Sequence, residues 1–248
     1  MQSPDLTLYH LGAACSLVAL LALEESGRDY HLASPFVAEG QKRAEFLAAN
    51  PTGQVPCLLV DGRPLTETAA ILLFLARLCP DRSLLPLNGE TFHDAGIEAE
   101  LIYCSAGIQP WVRQIVMPRY FIDDPQQWDR VRQLGRLKLH ERLSVINSRL
   151  PEGAWRYGEW STVDGYLFWL TMNAVLEGVE QRGIERCIGN AVRTLARPAL
   201  LAATRRAELA QTRLFGVDSQ PSHWAQRLSP RPVLDRFCNA IAQPLLPL

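Results

Sequence analysis

The chain has 248 residues, enough for one large domain or two small ones, and its 48% hydrophobic and 21% charged residues suit an ordinary folded protein with a real core. With 25 basic against 26 acidic residues the formal charge is -1, which excludes a global field that would draw the chain to nucleic acid or an anionic membrane. The six cysteines (Cys15, Cys57, Cys79, Cys104, Cys187, Cys238) never stand closer than 22 positions, which excludes a CxxC redox pair and a zinc-ribbon spacing; reduced thiols in a cytoplasm, with no metal, are expected.

The first 80 residues alternate short strand and helix signals. "LTLYHL", residues 6 to 11, is short and apolar enough for a buried strand, and residues 15 to 26 carry leucines at helical spacing. "LGAAC" superficially suits a lipid-modified cysteine, but the apolar run follows Cys15 and no Lys or Arg precedes it, so neither export nor a lipid anchor is expected. "DYHLASP" offers a second strand, and "QKRAEFLAAN" a short helix ended by Asn50-Pro51. "VPCLLVDGRPLTE" reads as two strands joined by an Asp61-Gly62 turn, and "TETAAILLFLARLCP" as a helix stopped by Pro80. Its apolar run, "AAILLFLARL", is about half of what a membrane span needs. The predicted order is β-α-β-α-β-β-α.

Residues 81 to 89, "DRSLLPLNG", are rich in breakers and form a plausible linker. Beyond them, residues 90 to 119 and 125 to 149 are long helix-compatible stretches, Pro151-Glu152-Gly153 signals a loop, and further helices follow at about 162 to 178 and on to about 210. The expected organisation is an α/β domain over 1–80, an all-helical domain over 90–215, and an extension over 216–248 whose prolines and mixed charge show no period and permit no assignment.

Three pairs of residues carry the chemistry. Cys15-Ser16 lies where the first strand turns into the first helix, and a helix N-terminus stabilises an anion by about 1 kcal/mol, so it favours a cysteine thiolate there. The Ser16 hydroxyl is a ready donor to a bound sulfur anion. Val55-Pro56 immediately precedes a strand, where a cis proline would offer the Val55 backbone to an extended, peptide-like ligand. Glu67-Thr68 stands at a helix start, where Thr68 and free N–H groups suit a ligand carboxylate and Glu67 suits an ammonium. Taken singly, each has a plainer reading: a cysteine among alanines as packing, Pro56 as a turn residue, Thr66 or Thr68 as a helix cap.

In combination the sequence resembles a glutathione transferase from residue 6 to about 210. The β-α-β-α-β-β-α order resembles that family's thioredoxin-like domain, "NPTGQVPCL" its loop ending in cis-proline, "LTETAAILLFLA" its γ-glutamyl-binding helix start, and "YHLGAACSL" the start of bacterial beta-class members. The resemblance implies a thioredoxin-like N-terminal domain with an all-α C-terminal domain, glutathione as co-substrate, a homodimer, and a detoxifying role in the cytoplasm. Cys15 could form a mixed disulfide with glutathione or contact its sulfur, Ser16 would donate to the thiolate, Val55 would pair with the cysteinyl backbone beside a cis Pro56, Glu67 and Thr68 would hold the γ-glutamyl end, and Gln54 joins Val55 and Pro56 among the glutathione-binding residues. Lys42, or Arg43, is the candidate for the glycine carboxylate.

"STVDGYLFW" resembles the family's capping box, with Ser161 capping and Asp164 returning to the Ser161 amide; Gly165 departs from the apolar residue usual there. A second departure is Gln109-Pro110, in "SAGIQPWVRQ", where beta-class members carry a His-Lys pair. Tyr103, Gln109, Trp111 and Arg113 are candidates for the second-substrate pocket, or equally for helix packing. The expected activity is conjugation of glutathione to a small, apolar electrophile. The alternatives are thiol or peroxide redox chemistry at Cys15, or a non-catalytic binding or regulatory use of the fold.

Overall fold

A computed structural model describes residues 3–37, 41–215 and 230–242. The chain divides into two compact units, one of residues 1–84 with 197–235, the other of residues 85–196 with 236–248.

The first unit follows the predicted order: β1 (Leu6–Tyr9), α1 (Ser16–Ser26), β2 (His31–Ala33), α2 (Ala44–Ala49), β3 (Cys57–Val60), β4 (Arg63–Thr66) and α3 (Thr68–Leu78). The sheet order is β2-β1-β3-β4, with β1 parallel to β2 and antiparallel to β3. Antiparallel β3 and β4 join through a turn in which Asp61 and Gly62 both have positive φ, as an Asp-Gly hairpin requires. Leu8 sits opposite Leu58 in the β1–β3 ladder, so the centre of the sheet is apolar. Leu17 to Leu23 of α1 are all buried, the mark of a helix covered on every side.

That cover includes a helix expected elsewhere. The segment assigned to the helical domain up to residue 215 ends in a helix, Pro198–Phe215, that packs on α1 and belongs to the first unit. Arg197 forms a two-pronged ion pair with Glu25, its Nη2 2.8 Å from Oε2. Arg206 pairs with Glu24 at 2.8 Å and lies over the Tyr30 ring. Because these partners lie some 170 positions apart, hydropathy over a local window carries no trace of the pairing.

The second unit contains α4 (Thr91–Ile102), α5 (Gln109–Val116), α6 (Trp128–Arg149), α7 (Thr162–Leu176) and α8 (Glu185–Leu195); the Pro198–Phe215 helix is then α9. Within the helix-compatible stretch over 90–119 lies a π-helical turn, Tyr103–Ile108. Pro110, with no N–H for the regular ladder, sits just beyond it, and Gly107 passes so close under the Tyr103 ring that an added Cβ would fall 2.6 Å from it. The centre of this unit is α7, whose Val163 to Met172 are all buried. The Ser161–Asp164 capping box is present.

The extension left unassigned over 216–248 contains a helix, α10 (Pro230–Ala242), whose Phe237 meets Phe168 edge-on with centroids 6.1 Å apart; the rest of it lies outside the described residues. No described helix is long and apolar enough to cross a membrane.

Candidate active site

The loop from β1 to α1 makes two tight backbone turns, Ala14 N–H to Leu11 C=O (2.9 Å) and Leu17 N–H to Ala14 C=O (2.8 Å), which set Cys15 at the N-cap of α1. Its thiol donates to the Val55 carbonyl, Sγ to O 3.2 Å, across 40 positions of sequence. The Val55-Pro56 bond is cis. The first two sequence-predicted pairs are therefore in direct contact.

Ser16 is placed differently from the expectation that it donates to a ligand sulfur. Its side chain is 0% exposed and its Oγ accepts the Leu11 N–H at 3.1 Å, so the hydroxyl braces the turn instead of facing out. The first residue of a buried helix points inward here, while the N-cap residue before it keeps access to solvent.

Four of the other cysteines are buried, and burial pushes the Cys57 and Cys104 thiols up and that of Cys187 to about 12. Cys57 directly follows Pro56 but packs inward with Tyr9 and Phe46, whose rings lie 4.9 Å apart, and Val55 rests on this cluster. Cys15 is thus the accessible thiol beside the cis proline.

The loop before Val55 is held by Asn50, a residue that motif reading passed over. Buried at the end of α2, Asn50 donates from Nδ2 to the Gln54 carbonyl (2.6 Å) and accepts from the Thr52 hydroxyl (2.7 Å). An Asn before a Pro-Thr-Gly run is the available signal for such a self-bracing turn. Gln54 itself is exposed. Lys42 arches over the same loop, its Nζ 2.5 Å from where a Cβ on Gly53 would sit, and Gly53 has φ +62. Arg43 instead donates from Nε to the Phe36 carbonyl at 3.1 Å and pairs with Glu45.

Glu67 has φ 71 and ψ 119, a conformation costing an L-residue about 1–3 kcal/mol. It is exposed at the mouth of α3, with Thr68 buried behind it.

In the second unit, the four sequence-predicted pocket residues cluster around the start of α5. Tyr166, fully buried in α7, donates its hydroxyl to Gln109 Oε1. The Trp111 indole N–H goes to the Gly107 carbonyl (3.1 Å), Tyr103 lies against Gly107, and the Arg113 guanidinium sits 4.8 Å over the Tyr120 ring.

Residues 4–77 match the family model "Glutathione S-transferase, N-terminal domain". Glutathione S-transferase GstA of Escherichia coli O157:H7 is 33% identical over 198 residues, which span 77% of this chain and 93% of that protein. The chain belongs to the glutathione S-transferase family. A solved glutathione S-transferase from Xylella fastidiosa is 27% identical with a TM-score of 0.74, covering 82% of this chain and 98% of that one. A sphingomonad glutathione S-transferase complexed with glutathione is 25% identical with a TM-score of 0.70, covering 82% and 100%. The first unit carries the family's thioredoxin-like sheet, and the second consists of helices in its described residues.

One buried group in this transferase-family site went unread in the sequence. His10, directly after β1, is 5% exposed, and neither ring nitrogen has a hydrogen-bond partner among the described residues. Burial drives its pKa down to about 4, with the Ser16 backbone opposing in part. A free histidine titrates near 6.5, so the unfolded chain takes up a proton as pH falls below that value while the native chain stays neutral until about 4. Stability from this group is complete above the unfolded pKa and is lost as pH falls through the window between the two. Urea unfolding should show His10→Leu losing about 2 kcal/mol less than the wild type between pH 7 and pH 5. Equal losses in the two proteins would mean that His10 finds water or a partner on protonation.

Proposed function

We propose that the chain is a glutathione transferase that binds glutathione on its first unit, with the ligand sulfur at Cys15 and the α1 N-terminus, and adds it to a small, apolar electrophile contacted by Tyr103, Gln109, Trp111 and Arg113. The observation that carries this is the contact of Cys15 with the carbonyl before the cis proline, on the same unit as the strained Glu67 at the mouth of α3. Each part answers one part of a γ-glutamyl tripeptide. The α1 N-terminus favours an anionic sulfur, the Val55 backbone suits an extended peptide, and Glu67 and the α3 N-terminus suit the ammonium and carboxylate of the α-end. Lys42, over the Gly53 loop, suits the distal carboxylate. A sphingomonad relative of the same fold is complexed with glutathione, which supports the choice of ligand. Catalysis then comes from stabilising the thiolate and holding it against the electrophile.

Titration calorimetry with millimolar glutathione tests the reading. The wild-type protein is expected to bind, and Glu67→Ala to bind about tenfold or more weakly, through loss of a charge-assisted contact. No heat of binding to the wild type would overturn the proposal.

A second reading, thiol–disulfide or peroxide chemistry through Cys15, is favoured by one observation: Cys15 has surface and Ser16 has none. Binding of glutathione without turnover of either electrophiles or disulfides would point instead to a non-catalytic use of the fold.

A further inference from the structure

We propose that a cleft in the second unit, between the end of α6, the loop over 150–154 and α8, binds a small linear dicarboxylate, with Arg186 holding one carboxylate and Arg193 the other across Gly189. No residue of the glutathione reading takes part in it.

The cleft has a volume of about 710 Å³, room for a metabolite-sized molecule. Arg186, Gly189 and Arg193 all line it. They stand three and four residues apart in α8, so they share one helix face, with the two arginine backbones about 10 Å apart along the axis. Gly189 leaves the space between them open. Beyond the helix's own backbone, a Cβ built there would meet only Arg193 Nη1, at 3.6 Å.

Both guanidiniums are fixed in place but not neutralised. Arg186 Nη1 donates to the Leu150 carbonyl at 3.0 Å, and Arg193 Nη2 to the Ala154 carbonyl at 2.6 Å, one at each end of the loop. Arg193 also lies 5.4 Å over the Trp155 ring. A carbonyl carries no net charge, and among the described residues neither arginine has a carboxylate partner, whereas Arg156 has Glu100 and Arg197 has Glu25. Each keeps further N–H donors in a fork that matches a carboxylate.

The other polar groups narrow the ligand. Asn147 Oδ1 accepts the N–H groups of Arg186 and Cys187, which leaves Nδ2 as the donor end of that amide, and the Ser148 hydroxyl is used by the Val145 carbonyl. The cleft therefore offers donors. Glu185 turns its carboxylate to the Gly183 N–H at 2.8 Å, and Glu152 stands exposed in the loop. These two acids oppose a long polyanion or a bisphosphate, whose extra charges would meet them, and leave a ligand with one negative charge for each arginine.

The probe is octanedioate, whose chain is comparable with the two-turn spacing, and its control is octanoate, with a carboxylate at one end only. Calorimetry on the full chain in low-salt chloride buffer is expected to show octanedioate binding about tenfold or more tightly than octanoate. Arg186→Gln and Arg193→Gln are each expected to weaken octanedioate by about ten- to a hundredfold, toward the affinity of octanoate. Because both arginines also hold the loop, a third variant keeps both charges: Gly189→Leu places a good helix former in α8, fills the space between them, and is expected to abolish binding. Saturating glutathione is expected to leave octanedioate binding unchanged.

No binding to the wild type, equal affinity for the two probes, or undiminished binding in Gly189→Leu would overturn the proposal. Displacement of octanedioate by glutathione would do the same, by placing the acid in the first-unit site. Tighter binding of hexane-1,6-diyl bisphosphate than of octanedioate would overturn the choice of a dicarboxylate. Thermal midpoints identify any variant whose loss comes from unfolding.

Discussion

Cys15→Ala is expected to lose mixed-disulfide formation with glutathione altogether while keeping measurable conjugation, and Ser16→Ala is expected to lose stability before it loses any one activity. The two side chains are adjacent in sequence, but the fold gives them different surroundings. Cys15 keeps access to solvent and donates its thiol hydrogen to the Val55 carbonyl, a bond that a thiolate cannot make. In the proposed reading its sulfur is the atom that would meet a ligand sulfur near the cis proline, so removing it is expected to abolish sulfur–sulfur chemistry. In conjugation the attacking sulfur belongs to glutathione, so the α1 N-terminus and the peptide contacts survive the substitution.

Ser16 has no exposed surface, and its oxygen satisfies the Leu11 N–H. Its removal leaves that part-buried donor without its partner, at a cost of about 1 kcal/mol. The check is a comparison of kcat/KM for an electrophile and for a glutathione mixed disulfide, together with thermal midpoints, in both variants. A Ser16→Ala protein of unchanged midpoint that selectively loses conjugation would restore the hydroxyl to the reaction.

The largest stability effect is expected at Asp164. Its carboxylate is 0% exposed and accepts four hydrogen bonds: from the Ser161 N–H and the Ser161 hydroxyl, both 2.9 Å, from the Arg156 N–H, 3.0 Å, and from Asn190 Nδ2, 2.6 Å. It thereby ties the start of α7 to the loop before it and to α8. Asp164→Ala leaves four donors without their acceptor, three of them in buried bonds, and the expected loss is about 3–5 kcal/mol, a large fraction of the total stability of a typical domain. Asp164→Asn retains an acceptor for part of the set and is expected to lose less. Urea midpoints of the two variants measure this; a loss below about 1 kcal/mol for Asp164→Ala would mean that the helix start is held by apolar packing alone. This part of the helical unit already carries a second buried polar set, in which Glu100 accepts from Arg156 Nε and the Tyr157 hydroxyl, both at 2.7 Å.

What could be read from the sequence was what depends on neighbours in the chain. The β-α-β-α-β-β-α order follows from apolar runs of strand or helix length separated by Asn50-Pro51, Asp61-Gly62 and Pro80, because turn chemistry and periodicity act over a few residues. The capping box at Ser161 and Asp164 was legible for the same reason. Gln109-Pro110 stood out as a departure, yet only the structure shows its consequence, a π-helical turn and a glutamine held by Tyr166 from 57 positions away.

By itself, then, the sequence determined the order of the elements, the cis-proline loop, the helix starts and the identity of the residues at the candidate site. Tertiary structure alone decided which of Cys15 and Ser16 faces outward, that the Cys15 thiol rests on the Val55 carbonyl, that His10 lies buried with neither ring nitrogen hydrogen-bonded among the described residues, and that α9 packs on α1. The physical reason is common to all four. Burial and hydrogen-bond partnership are set by atoms brought together from distant parts of the chain, and no local pattern records them.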